Sequence, residues 1–241
     1  MTSKDTSNLL DPGTQGFLAR RPIIGLALFL LGGLIFIVLA ISVRANGSLL
    51  GWDSPIDQAL HIRATHDTPF VVEIMRFCGA LGQNIAVLFV TLIGLYWFFK
   101  RYWYELGMLL IGVSGGTLWF VVISNMIGRH RPVFPDPLES IPGPGFPSGH
   151  SITSMLFYGL ILYLLLPHLS SWRWRFVAVL DAALIILLVG FSRLYFGSHY
   201  PTDVLGGYTF GLTWGALVYT CIELYRKHRS VRHTKTIRAN P

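Results

Sequence analysis

Long apolar runs alternate with short polar segments along the chain. Runs of the roughly 20 apolar residues that a helix needs to cross a bilayer occupy 22–43, 74–99, 105–127, 150–167, 176–196 and 203–225. The pattern predicts an all-α membrane protein, with six transmembrane helices in one domain over 22–225. A short cytoplasmic tail at 1–21 and a basic one at 226–241 flank it. The first run is longer than the apolar core of a secretory leader, and no clear small-residue cleavage site follows it, so it reads as a retained span. Between the first two spans lies SLLGWDSPIDQALHIRATHDTPF, in which Asp53 or Ser54 ahead of Pro55 marks a helix start. Trp52, Ile56 and Leu60 are expected on the membrane surface, with Asp57 and Arg63 toward water, which predicts a short amphipathic helix.

Composition agrees. Of 241 residues, 52% are hydrophobic and 13% charged, outside the usual range of a water-soluble domain. Lysine and arginine collect on the cytoplasmic side of short loops. Placing both termini there puts thirteen of the nineteen inside and leaves Arg44, Arg63, Arg76, Arg129, Arg131 and Arg193 outside. The amphipathic helix is then extracytoplasmic. The net charge of +7 sits largely in RKHRSVRHTKTIR behind the last span, where it anchors the chain beside anionic lipid, so no nucleic-acid partner is expected. Cys78 and Cys221 fall at opposite depths of their spans and form no disulfide.

With the spans drawn, the unusual polar residues share one side. GRHRP follows the third span, PSGHS opens the fourth, SRLYFGSH closes the fifth and YPTD opens the sixth. Four helix ends therefore meet on the extracytoplasmic face, and ionisable residues at the edge of a membrane core usually mark function. Arg131 and Arg193 offer planar, permanently charged forks suited to phosphate oxygens and to the charge of phosphoryl transfer. The amides of Ser148, Gly149 and His150 stand where the fourth helix begins, with its unpaired N–H groups and positive dipole end. Gly149 lets the backbone approach an anion, and the Ser148 hydroxyl adds a donor. His150 and His199 supply a nucleophile and a proton donor. Asp203, four residues after His199, is within reach of its ring, which makes His199 the better nucleophile.

Three other features have structural explanations. Asp181, inside the fifth span, is expected to make a hydrogen bond within the bundle. GVSGGTLWF supplies small residues for close helix packing, with room for an acyl chain as its lesser use. Trp52, Trp97, Trp103, Trp172 and Trp174 suit an interfacial belt.

The polar clusters resemble the three motifs of the type 2 phosphatidic-acid phosphatase superfamily, K-x6-R-P, P-S-G-H and S-R-x5-H-x3-D, which vanadium haloperoxidases and some soluble acid phosphatases share. The second is complete as Pro147, Ser148, Gly149 and His150, and the third as Ser192, Arg193, His199 and Asp203. The first is partial: Arg131 and Pro132 match, but Ser124 stands where the family has lysine. The resemblance implies an integral membrane lipid phosphatase that works through a phosphohistidine, without a metal or other cofactor. His199 is then the nucleophile and Asp203 its orienting carboxylate. His150 is the acid that protonates the leaving oxygen and later helps water. Arg131, Arg193, Ser148 and Gly149 hold the phosphate, and Arg129, two residues before Arg131, is the cation available to replace the lysine.

The expected function is hydrolysis of the terminal phosphate of a lipid phosphate or diphosphate in the cell membrane. Undecaprenyl diphosphate, phosphatidylglycerol phosphate and phosphatidic acid all present that group, and the motifs read the phosphate, not the tail. The rival expectation is a non-hydrolytic transporter or binding protein for phosphorylated lipids.

Overall fold

The structure, a computed structural model, describes residues 17–47, 50–139 and 141–239, with side chains through Ser230. Residues 1–16 of the expected N-terminal tail, and the side chains of Arg232, Lys235 and Arg238 in the C-terminal one, lie outside the described part. All regular secondary structure in it is helical. After a single turn at Phe17–Arg20, α1 spans Pro22–Arg44, α2 Asp53–His66, α3 Pro69–Leu81 and α4 Asn84–Lys100. Helix α5 covers Trp103–Ile127, α6 Gly149–Leu165, α7 Trp172–Tyr195 and α8 Pro201–Ala239.

Five stretches are long and apolar enough to cross a membrane: Pro22–Arg44, Pro69–Lys100, Trp103–Ile127, Gly149–His168 and Trp172–Tyr195. Their outward faces are apolar. Leu26, Leu30, Leu34, Val87, Leu118 and Leu184 are each more than half exposed, a surface suited to lipid and not to water. The sixth expected span is present as a helix but is less apolar, since Gly206, Gly207, Thr209, Gly211, Thr213 and Gly215 interrupt it. Its position explains this. Helix α8 packs most extensively on α1 and α6 and buries Val204, Phe210, Ala216, Val218 and Tyr219. Between protein neighbours, small residues that allow close approach serve better than bulky apolar ones. The helix also continues past residue 225 to Ala239, where a tail was expected.

Helix α2 differs from expectation. Its buried positions are Asp53, Asp57, His61 and Ala64, one stripe at helical spacing, and Asp57, expected toward water, is 3% exposed. The stripe is polar because α2 packs on α7 and α8 at the charged end of the bundle. Trp52, Ile56 and Ile62 are exposed.

The second span begins at Pro69 and is interrupted at Gly82 and Gln83, between α3 and α4. Within α5, Met108–Ser114 is π-helical, and the carbonyls of Ile111 and Gly112 both accept from Trp214 Nε1, at 3.1 and 3.0 Å. The small residues of this stretch pack against Tyr219, Trp214 and Leu156, as expected. Trp97 is buried in the core and not in an interfacial belt. Asp181 lies exposed on α7, flanked by exposed Leu180 and Leu184, and the expected hydrogen bond is absent among the described residues. Both cysteines are free thiols.

Candidate active site

The ends of α5, α6, α7 and α8 converge, and α2 and the loop between α5 and α6 close over them. The chain leaves α7 through Gly197, whose φ of 62° is the left-handed conformation that glycine adopts without a Cβ penalty just past a helix end. Ser198 N–H returns to Arg193 O at 3.0 Å, and the turn delivers His199 to the start of α8. His199 is 1% exposed. Its Nδ1 lies 2.8 Å from Gly145 O. A carbonyl only accepts, so Nδ1 carries the proton and the lone pair is on Nε2. Nε2 accepts from Arg131 Nη1 at 2.8 Å. Arg131 is fixed by two further donations, Nη1 to Ser198 O at 2.8 Å and Nε to Gly143 O at 3.0 Å. Burial holds the His199 pKa below its ordinary 6.5, against the opposing pull of Asp203, so the ring is neutral at pH 7.

Asp203 Oδ2 is 3.6 Å from His199 Nδ1, an ion-pair distance and too long for a hydrogen bond. The hydrogen bond expected from this carboxylate comes from the Gly145 carbonyl. Oδ2 accepts instead from Tyr200 N–H at 2.9 Å, a reach from the third residue of α8 back to its cap. Oδ1 accepts from Arg129 Nη1 at 2.6 Å. Arg129, the candidate replacement for the lysine, is therefore turned toward carboxylates. It also donates to Thr202 Oγ1 at 2.6 Å and to Asp53 Oδ2 at 2.7 Å, and lies over the Tyr200 ring at 4.4 Å. Asp53 in turn accepts from Thr202 N–H at 3.0 Å and from its hydroxyl at 2.5 Å.

At the start of α6 the Ser148 amide is already committed, donating to Asp203 O at 2.9 Å. The amides that the helix start leaves open are the next ones, at Gly149 and His150. The Ser148 hydroxyl is buried without a hydrogen-bond partner among the described residues. Phe120 packs 3.1 Å from where a Cβ of Gly149 would stand, so packing as well as anion access calls for glycine here. Arg193 is 3% exposed. Its Nε donates to Ser192 Oγ at 3.1 Å and its Nη1 to Glu139 Oε2 at 2.9 Å, with Nη2 lying against Gly79 of α3, where a Cβ has no room.

Arg131, Gly149, His150 and His199 line a cavity of about 570 Å³ that is also lined by the apolar Val87, Val90, Val113, Phe120 and Ile152. Beyond Arg129 a second cavity of about 620 Å³ is lined by Arg44, Asp53, Ser54 and Tyr200, without His150 or His199. No three His, Cys, Asp or Glu side chains among the described residues are grouped so as to hold a metal ion. Asp53, Glu139, Gly79 and Gly145 are the site residues that sequence reasoning missed.

An apolar helical bundle carrying a buried neutral histidine, two arginines and an open helix start at one end defines an integral membrane enzyme suited to phosphoryl chemistry. The chain belongs to the PAP2 superfamily, which it matches over residues 101–227. It is 34% identical over 199 residues to phosphatidylglycerophosphatase B of Bacillus subtilis (strain 168), covering 81% of this chain and 95% of that protein. Among solved structures it resembles a transmembrane PAP2-type phosphatidylglycerolphosphate phosphatase from Bacillus subtilis, with a TM-score of 0.67 and 32% identity over 80% of this chain and 93% of that one. LpxE of Aquifex aeolicus shares the fold at a TM-score of 0.54 and 20% identity, over 69% of this chain and 94% of that one. The protein is thus a membrane lipid phosphatase.

Proposed function

We propose that this phosphatase removes the terminal phosphate of phosphatidylglycerol phosphate or a close lipid relative, through a phosphohistidine, at the extracytoplasmic face of the cell membrane. The observation that carries the reading is that one cavity is lined both by His199, His150 and Arg131 and by the apolar Val87, Val90 and Val113. An anionic head with an apolar tail matches that division of surfaces. Phosphatidylglycerol phosphate is favoured over undecaprenyl diphosphate and phosphatidic acid by the likeness to the Bacillus subtilis enzyme.

His199 Nε2 attacks phosphorus in line while the bond to the lipid oxygen breaks, and His150 gives that oxygen a proton. Asp203 stabilises the positive charge that attack leaves on the imidazole. Arg131, Arg193, the Ser148 hydroxyl and the Gly149 amide hold the phosphate oxygens as negative charge shifts among them. In the second step His150 takes a proton from water, whose oxygen attacks the phosphohistidine and releases inorganic phosphate. Six spans, with α8 as the sixth, keep both termini cytoplasmic and the cavity mouth outside.

The test is phosphate release by purified protein from phosphatidylglycerol phosphate, phosphatidic acid and undecaprenyl diphosphate. Wild type is expected to turn over the first fastest, and His199→Ala to release none while still binding lipid. Equal release by His199→Ala would sink the phosphohistidine. A faster rate on undecaprenyl diphosphate would overturn the substrate assignment.

A further inference from the structure

We propose that Asp53, on α2 and outside all three motifs, is a positioning residue for the phosphatase reaction, acting on His199 through Arg129 and Asp203. The inference rests on the reading of His199 as nucleophile. Asp53 is 2% exposed and 149 residues away in sequence from the turn it binds. Its two oxygens close a ring of contacts: Oδ1 takes Thr202 N–H, while Oδ2 takes the Thr202 hydroxyl and Arg129 Nη2. Arg129 Nη1 completes the ring at Asp203 Oδ1. Capping α8 alone would explain the Thr202 contacts. It does not explain why the same carboxylate takes hold of the guanidinium seated on Asp203.

Charge supplies the reason. Arg129 is shared between two carboxylates, 2.7 Å from Asp53 and 2.6 Å from Asp203. A cation divided in this way neutralises neither, so Asp203 keeps part of its field on the imidazole 3.6 Å away. Without the Asp53 charge, Arg129 is left to Asp203 alone, and the positive charge that develops on His199 loses support. The charged and titratable groups acting on His199 are Asp203 from α8 and Arg131 from the α5–α6 loop, with His150 from α6 coupled to it and itself facing Arg193 from α7. Behind Asp203 stand Arg129, Tyr200 and, from α2, Asp53 and Asp57.

Asp53→Asn keeps the shape and an oxygen acceptor but removes the charge. On phosphatidylglycerol phosphate it is expected to lower kcat about tenfold, as losing a partner of a catalytic ligand commonly does, with KM changed less than about twofold. The acid limb of the kcat/KM profile should move to lower pH, because the imidazolium is less stabilised. Arg129→Gln, prepared in parallel, removes the opposite charge. Freeing Asp203 from its cation should move the limb to higher pH, and an unmoved limb in this variant overturns the inference if Asp53→Asn does not fold. Wild-type kcat and an unmoved limb in Asp53→Asn overturn the inference, as does a fall in melting temperature that accounts for the whole loss of activity while both limbs stay in place. Those outcomes leave the phosphatase reading intact wherever wild type is active and His199→Ala is not. A wild type that releases no phosphate fails both.

Discussion

Arg193 Nη1 donates a hydrogen bond to Glu139 Oε2 at 2.9 Å, so a guanidinium suited to phosphate is held by a carboxylate of its own chain. A substrate phosphate that takes this donor must displace Glu139, whose side chain is one-third exposed while that of Arg193 is buried. Removing a partly exposed partner of this kind alters binding by about 1 kcal/mol. Glu139→Gln is therefore expected to lower KM for a lipid phosphate about fivefold, with kcat little changed. Steady-state kinetics on detergent-solubilised protein test it, and a raised KM would show that Glu139 assists binding.

Gly79 makes the same arginine possible from the other side. Any side chain there meets Arg193 Nη2, and a guanidinium displaced by about 1 Å loses its aim on the transferring phosphoryl group. Gly79→Ala should reduce kcat/KM about 100-fold and weaken inhibition by orthovanadate, which mimics the five-coordinate phosphorus of the transition state. Undiminished vanadate affinity would mean that Arg193 does not touch the phosphoryl group.

These two contacts mark the boundary of what the sequence reveals. That Arg131, Gly149, His150, Arg193, His199 and Asp203 lie at one end of the bundle was legible because each is tied to a helix end that hydropathy locates. Four ends on one side of a membrane leave few ways to arrange them. Gly79 looked like any small residue of an apolar run, and Glu139 like any charge in a proline-rich loop, since nothing local says that Arg193 lies between them. Asp53 was visible as a helix start and no more. Asp57 reads outward in the sequence because a polar face beside a membrane normally meets water, and it lies in a buried stripe with Asp53 and His61. It turns inward because the end of this bundle is itself charged. The sixth helix was legible in position but is less apolar than the other spans, because much of it packs closely on α1 and α6.

Asp57 ties stability to pH. Burial first, then the nearby charges of Asp203 and Asp53, raise its pKa from 3.8 to about 7. Below the ordinary value it is protonated in both folded and unfolded chains and has no effect. As pH rises toward 7, the unfolded chain releases the proton while the folded one keeps it, so folding stability falls and the loss is complete once the folded group ionises. Asp57→Asn should flatten that decline. It is expected to melt higher than wild type at about pH 8 and to differ little at about pH 4, by thermal unfolding in one detergent. A wild type more stable than the variant at the higher pH would contradict the assignment.

Asp181 makes a prediction of opposite character. It is exposed on α7 between Leu180 and Leu184, nine residues from Trp172 at the end of the span, so it faces lipid near mid-depth. Carboxylates are disfavoured there by about 3–4 kcal/mol relative to apolar residues. Asp181→Leu is therefore expected to raise the melting temperature without altering kcat or KM. A destabilised variant would indicate that the carboxyl is paired in the membrane.

Sidedness is open to a direct chemical test. Lys100 and Arg101 at the end of α4, and Arg173 and Arg175 at the start of α7, flank the end of the bundle opposite His199, as expected if that end is cytoplasmic. Single cysteines at Pro135→Cys and Ser170→Cys, in a chain with Cys78 and Cys221 replaced, sample the two ends. Both positions are exposed, and Ser170 avoids Ser171, whose hydroxyl caps α7. In intact cells a membrane-impermeant maleimide should label position 135, and reach position 170 only after permeabilisation. The reverse pattern would turn the protein over and put phosphate release in the cytoplasm. Labelling of both positions in intact cells would mean that the chain does not alternate sides between α5 and α7, and the six-span topology would fall with it.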